Sequence, residues 1–459
     1  METEVKRKHV VRNVIFVIIA ALIVGVVLYK VISGYIDSRP KFIYNYGEFQ
    51  ADNLAQYPNT DFAVMSDLHY YDTSLGTTGA AFEECMYSDR KLLKQSAELV
   101  DKAVDSIIDT GVKFVLVSGD LTKDGELINH QKVAEQFQRL EDAGISVYVV
   151  PGNHDVNNPG AVKYSGDVTE RVENVSESDF AEIYNNFGYG EAIIRDPETL
   201  SYVAEPEDGL WVIALDSCES ENNTPDKEEI WAGELTQEQI NWVEGVLKQA
   251  IEKDKAVIVL EHHGVVEHWG GQSKLHPDYL LSDYKYAGKF LSSYGVRLAF
   301  TGHYHAQDIT LENNDTQGFI YDVETGSLIT PPCAMRFCSI TNNKLTVKTD
   351  YLIDTYDKEF AAQSMEFVKQ TIYNEAYKTL KGYYVSDRDA DYIANTVASS
   401  YVAHYDGDEG DAEKVTIDKS RLNLWGRIIY SQYEYVINGL GVDLPPDDSN
   451  CTFSLDSAS

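Results

Sequence analysis

Acid and imidazole recur in this chain at two-residue spacing. Asp67-Leu68-His69 and His303-Tyr304-His305 each set two donor side chains on one face of an extended segment. Gly119-Asp120, Gly152-Asn153-His154-Asp155 and His262-His263 add a carboxylate, an amide oxygen and further imidazoles. Carboxylate oxygen mixed with imidazole nitrogen is the donor set of hard or borderline divalent metals. Two such ions held about 3.5 to 4 Å apart need a bridging group, and one carboxylate with an oxygen for each ion serves. Asp120 suits that role, because Gly119 lets the backbone come close to the ions. Asn153 would contribute a neutral oxygen and keep the site cationic enough to attract phosphate. Taken singly each motif is commonplace; the five together carry the signal.

Such side chains need rigid elements behind them, and each motif follows a strand-like apolar run: 61–65, 113–117, 146–150, 256–260 and 296–300. Between the runs lie amphipathic helical patterns, over 90–110 with Gly111 closing it, over 126–143 ended by Gly144, from Ser178 as a cap through 187, and from Thr236 to about 252. This alternation predicts an α/β domain over 61–352. The polar stretches 72–88 and 156–178 directly follow motifs and are expected to rim the pocket. Short strands at 319–323, 337–341 and 344–350 predict a second sheet packed on the first. Helical periods at 360–380, 387–401 and 417–438 predict a C-terminal helical domain over 353–445, with its tyrosines as packing residues. The acidic loop 406–411 lacks the twelfth-position Glu of a calcium loop and reads as solvated. The tail, 446–459, is expected to fray.

The 459 residues are 43% hydrophobic and 24% charged, a globular composition. A formal charge of −36 argues against a nucleic-acid-binding surface and against adhesion to anionic lipid heads, and reads as a solvated acidic surface. Lys6-Arg7-Lys8 and Arg12 precede an apolar stretch over 14–29 that Val31-Ile32 extends. About 20 apolar residues span a bilayer, so 1–36 is read as a cytoplasmic basic start and uncleaved transmembrane anchor. A cleaved signal peptide is the rival, but no small-x-small site follows. Residues 37–60 then form a linker, and the catalytic domain lies outside the cell membrane. The five cysteines form no metal or disulfide framework; Cys333 and Cys338 alone are near enough in sequence to bridge across a turn, and thiols are the preferred reading.

The ordered set DxH, GD, GNHD, a His after a strand and GHxH, running from Asp67 to His305, resembles the calcineurin-like metallophosphoesterase superfamily. With the insertion after His69 and the helical C-terminus it is similar to bacterial cyclic-nucleotide-phosphodiesterase-like members. The resemblance implies a four-layer α/β/β/α sandwich holding two divalent ions, Mn, Fe or Zn. One ion would be held by Asp67, His69, Asp120 and His305, the other by Asp120, Asn153, His262 and His303, with His263 one residue from the second assignment. His154 would lie over the phosphate as cationic stabiliser or general acid, oriented by Asp155. The implied activity is attack of a metal-bound hydroxide on phosphorus of a small phosphodiester, with a phosphomonoesterase, a nucleotide pyrophosphohydrolase or a non-catalytic envelope binding protein as alternatives. Purple acid phosphatases carry a Tyr three residues after the bridging Asp; Lys123 stands there, which argues against a tyrosinate-iron centre.

Overall fold

Runs of β-branched and aromatic residues build two mixed sheets. The computed structural model describes residues 39–48, 54–407 and 416–458. Residues 1–43 and 44–459 form separate compact units; of the first, only 39–43 are described, and they carry no helix or strand. All that follows lies in the second unit. Strands β1 (Thr60–Met65), β2 (Phe114–Val117), β3 (Ser146–Val149), β13 (Ala334–Thr341), β14 (Lys344–Tyr351) and β15 (Asn450–Ser454) form one sheet in the order β15-β14-β13-β1-β2-β3. Its β1, β2 and β3 run parallel, and β13 joins β1 antiparallel. The second sheet contains β6 (Ile194–Arg195), β7 (Tyr202–Glu207), β8 (Leu210–Ala214), β9 (Ala256–Leu260), β10 (Leu298–Thr301), β11 (Asp308–Asn313) and β12 (Phe319–Glu324), in the order β11-β12-β10-β9-β8-β7-β6. A separate hairpin pairs β4 (Val162–Ser165) with β5 (Val168–Arg171), so the 156–178 insertion is not all loop.

The sheets meet through aromatic and branched side chains. Phe62 of β1 stacks on Phe114 of β2 at 4.9 Å and meets Phe300 of β10 edge-on at 5.5 Å, and Val64, Leu116, Ile258 and Leu260 share that core. Each such side chain, fully buried, contributes about 1.5 to 3 kcal/mol. Helices flank the sheets: α1 (Ala80–Ser88), α2 (Ser96–Thr110), α3 (Leu127–Asp142), α4 (Glu177–Ile183), α5 (Gln237–Glu252), the single turn α6 (Gln272–Leu275) and α7 (Tyr284–Ser293). In α2 the buried residues Leu99, Val100, Ala103, Val104 and Ile107 fall on one face, and Gly111 ends the helix at φ 68°. Thr236 caps α5 through a reciprocal capping box with Gln239. The cap of α4 is Ser176, not Ser178, because Asp179 stands three residues after Ser176 and closes the same kind of box.

The C-terminal helices α8 (Lys358–Gly382), α9 (Asp387–Asp406) and α10 (Leu424–Leu440) pack on one another and on the sheet region. Val368, Tyr401, Tyr405, Val436 and Leu440 form one cluster with Trp269 and Tyr304. The expectation of a frayed tail is corrected: Asn450–Ser454 is the outermost strand of the first sheet, Phe453 opposite Leu345 with its ring 4.1 Å from that of Tyr321. All five cysteines are free thiols, Cys333 and Cys338 both buried. Among the described residues no helix is long and apolar enough to cross a membrane. The expected anchor at 14–32 lies outside the described residues, as does 408–411 of the acidic loop.

Candidate metal centre

Every predicted donor sits just past the carboxyl end of a strand. Asp67 and His69 follow β1, Asp120 follows β2 and Asn153 follows β3 in one sheet; His262 follows β9, and His303 and His305 follow β10 in the other. The site therefore straddles the edge where the sheets meet. The backbone there is strained, with Asp67, His69, Asp120, His303 and His305 all at positive φ, between 36° and 72°. Non-glycine residues in that region cost about 1 to 3 kcal/mol each and persist only where the surroundings enforce them. Asp67 and His69 are pinned by N–H donation to the carbonyls of Gly119 (3.1 Å) and Asp120 (2.9 Å). Gly302 is required for close approach, because a Cβ there would lie 1.9 Å from Ser66 Oγ and 2.6 Å from Asp67 Oδ2.

Two donor groups share Asp120. In the first, the ligating atoms of Asp67, His69, Asp120 and His305 all lie within 4.8 Å of one another. His69 Nε2 is 3.1 Å from His305 Nε2 and 3.5 Å from Asp120 Oδ2, and His305 Nε2 is 3.2 Å from Asp67 Oδ1. Asp67 Oδ2 accepts from Ser66 Oγ (2.5 Å) and His303 N–H (3.0 Å), which leaves the buried Oδ1 without a hydrogen-bond partner and facing the imidazoles. A buried, unpartnered carboxylate oxygen among converging imidazole nitrogens fits a cation. The second group is Asp120, His262 and His303, with Asn153 Oδ1 3.2 Å from His262 Nε2. Asp120 Oδ2 stands between the groups, 3.4 Å from His262 Nε2, while Oδ1 accepts the N–H of His154 at 2.9 Å. One oxygen therefore faces both groups, where one oxygen per ion was expected.

Protonation follows the same geometry. Burial holds His69 and His303 well below the usual imidazole pKa, in the neutral form that a metal needs. For His262 burial opposes the charge and the Asp120 carboxylate overrides it, raising the pKa to about 9. A cation bound there displaces that proton. His262 Nδ1–H donates to the Ser118 carbonyl at 2.7 Å, which aims Nε2 at Asp120. His263 points elsewhere: its Nδ1 meets Ser217 Oγ at 2.8 Å and its Nε2 the Trp231 carbonyl at 2.9 Å.

His154 stands beside the donors with its Nε2 3.9 Å from Asp120 Oδ2 and its Nδ1 2.9 Å from Asp124 Oδ1. Burial disfavours its charge, but Glu229, Asp120 and the Asp124 hydrogen bond together raise its pKa to about 10. The expected partner, Asp155, is corrected. Its carboxylate accepts the N–H groups of Leu121, Thr122 and Gly152 at 2.9 to 3.0 Å and the Thr122 hydroxyl at 2.9 Å, so it ties two motif loops together. Asp124 and Glu229 thus take the place given to Asp155. Asp124 carries a weak signal in sequence, four residues after Asp120; Glu229 comes from a distant loop and carries none. A cavity of about 610 Å³ opens over these groups, walled by Trp231, Tyr279 and, from α8 and α9, Glu375 and Tyr405.

The family model for calcineurin-like phosphoesterases matches residues 60–307, more than half of the chain. The chain belongs to that family. It is accordingly a metal-dependent hydrolase of phosphoesters, and the donor clusters above are its candidate metal-holding residues. Similar solved structures include a dimetal phosphatase from Danio rerio, 17% identical, with a TM-score of 0.46, covering 64% of this chain and 97% of its own. A purple acid phosphatase from yellow lupin (Lupinus luteus) seeds is 13% identical, with a TM-score of 0.41 and coverage of 66% and 53%. No curated protein matches the sequence.

Proposed function

We propose that this calcineurin-like phosphoesterase is a phosphodiesterase acting outside the cytoplasmic membrane on a small phosphodiester. The observation that carries the reading is the pair of buried donor groups sharing Asp120 Oδ2, with His154 set beside them and engaged with Asp124. Asp67, His69, Asp120 and His305 would hold one divalent ion, and Asp120, Asn153, His262 and His303 the other; Mn, Fe and Zn all suit carboxylate, amide and imidazole donors. Two cations held there supply Lewis acidity toward phosphorus and acidify the attacking water. His154, kept cationic by Glu229, Asp120 and Asp124, donates its Nε2 proton to the leaving oxygen, while Asp124 fixes the ring through Nδ1. A cavity of about 610 Å³ over the donor groups has the volume for a small diester with both of its substituents. The basic flank and apolar run at 6–32 support an anchor with the catalytic part outside.

The full chain, loaded with Mn, is expected to cleave bis(4-nitrophenyl) phosphate, and Asp120→Ala to lose both the metals and the activity. Activity surviving that substitution would sink the dimetal assignment. Faster turnover of 4-nitrophenyl phosphate than of the diester would favour the monoesterase alternative. A reporter fused after Ser459 should be active outside the cytoplasm; activity only inside overturns the location.

A further inference from the structure

We propose that Lys91 binds phosphate in the catalytic cavity, its ammonium contacting a non-bridging oxygen of the substrate phosphoryl group, with Arg90 as the positioning residue that holds it there. The inference rests on the phosphoesterase reading of the site and concerns residues that none of the five motifs contains.

Position is the first support. Lys91 lines the same cavity as Asp120, Asn153 and His154. Its charge bears on His69 and His154, and it is itself drawn by Asp89, Asp124, Asp120 and Glu229. An ammonium placed there faces the space that a phosphoryl group must occupy to meet the metal-holding donors.

Availability is the second. The chain has 74 acidic residues against 38 Lys and Arg, so a cation near this pocket would ordinarily be paired. The other two cations of the wall are. Arg90 donates to Tyr405 Oη at 2.8 Å and to Glu375, and Lys123 pairs with Asp124. The Lys91 ammonium has neither a hydrogen bond nor an ion pair among the described residues. The carboxylates of Asp89, Asp124, Asp120 and Glu229 outweigh its burial and keep this half-buried ammonium charged, and its N–H donors remain open to a ligand oxygen.

The third is preorganisation. The Lys91 N–H donates to Asp89 Oδ1 at 3.0 Å, the Leu92 N–H donates to the Ile329 carbonyl at 2.8 Å, and the Leu93 side chain is wholly buried. On the other side Arg90 is clamped to α8 through Glu375 and to α9 through Tyr405. The backbone is thus fixed on both sides of Lys91. A compact ammonium on that base suits a tetrahedral oxyanion, whose equatorial oxygens gain charge as water attacks phosphorus. The C-terminal helices enter the chemistry by this route, as the anchor of Arg90.

Inorganic phosphate serves as the probe, titrated calorimetrically into the Mn-loaded full chain, with metal content and steady-state kinetics measured beside it. In Lys91→Met the two metals and the melting temperature should stay at parental values while phosphate binds about 10-fold to 100-fold more weakly, the range for a charge-assisted hydrogen bond. Lys91→Arg should recover part of the affinity, and Glu375→Gln with Tyr405→Phe should raise KM more than it lowers kcat. Unchanged phosphate affinity in Lys91→Met, or loss of metal from it, overturns the proposal, the second outcome making Lys91 a structural charge. Phosphate affinity is read without turnover. A parent that binds phosphate through Lys91 yet spares diesters refutes the diesterase reading alone, whereas a parent that cleaves diesters with Lys91→Met unaltered refutes the Lys91 role alone.

Discussion

At the residue scale, neighbouring side chains at this site differ in where their free lone pairs point. His262 presents Nε2 to Asp120, whereas both nitrogens of His263 are engaged by Ser217 and Trp231. His262→Ala is therefore expected to lower metal content from two ions toward one per chain, and His263→Ala to leave two; metal analysis of the purified variants decides it, and equal losses would contradict the geometry. His154 and Asp155 part in the same way. His154→Ala should keep both metals and lower kcat about 10²-fold to 10⁴-fold. Asp155→Ala strips the acceptor from three backbone N–H groups and a hydroxyl, and should cost about 3 kcal/mol in urea unfolding. A fully stable Asp155→Ala with normal metal content but His154-like kinetics would restore Asp155 as the partner of His154. Motif spacing made the seven donor residues legible, since Asp67 with His69 and His303 with His305 are set two apart after strands. Glu229 and Lys91 are not legible as site residues and Asp124 only weakly, because their approach depends on loop paths that carry no period.

At the element scale, the five motif-bearing apolar runs mark their strands within one or two residues, yet local pattern carries no record of which sheet takes which strand. The run at 319–323 joins the motif strands β9 and β10, while 337–341 pairs with β1, and only long-range pairing decides between them. The segment after β8 shows a further property that is hidden in sequence. Asp216 accepts the N–H groups of Leu200 and Cys218 at 3.3 and 3.2 Å, but burial dominates and pushes its carboxyl up to about 7. An unfolded Asp titrates near about 3.9, so between these values the folded chain holds a proton that the unfolded chain has lost. Stability from this group is full below about pH 4 and falls as pH rises through about 7. Asp216→Asn removes the titration, so its stability relative to the parent should rise between pH 5 and 8, by on the order of 2 to 4 kcal/mol. Urea unfolding at both pH values measures this, and a difference that stays constant would show that Asp216 is ionised in the folded chain.

At the scale of the whole molecule, the last strand ties distant parts together. Phe453 of β15 packs on Tyr321 of the opposite sheet, the Asp448 carboxylate accepts the Ile309 N–H at 2.8 Å, and its carbonyl accepts from the buried Arg336 guanidinium at 2.5 Å. Arg336 also donates to the carbonyls of Asp308 and Glu324, so one guanidinium spans both sheets and the tail. Composition alone made this stretch read as a polar tail, since only Phe453 and Leu455 among its residues are large and apolar, both of them buried. Phe453→Ala opens a cavity between the sheets and should cost about 3 to 4 kcal/mol. Leu345 opposite it and Tyr321 beneath it lose a partner, and β14 keeps its backbone ladder but not its lid. The metal donors belong to loops after β1, β2, β3, β9 and β10, none of which pairs with β15, so metal content and activity per folded molecule should match the parent. Unfolding monitored with and without Mn separates the two effects: an equal loss of stability in both places Phe453 in the common core. Parental stability in Phe453→Ala would show that the strand adds a paired edge and nothing to the packing between the sheets.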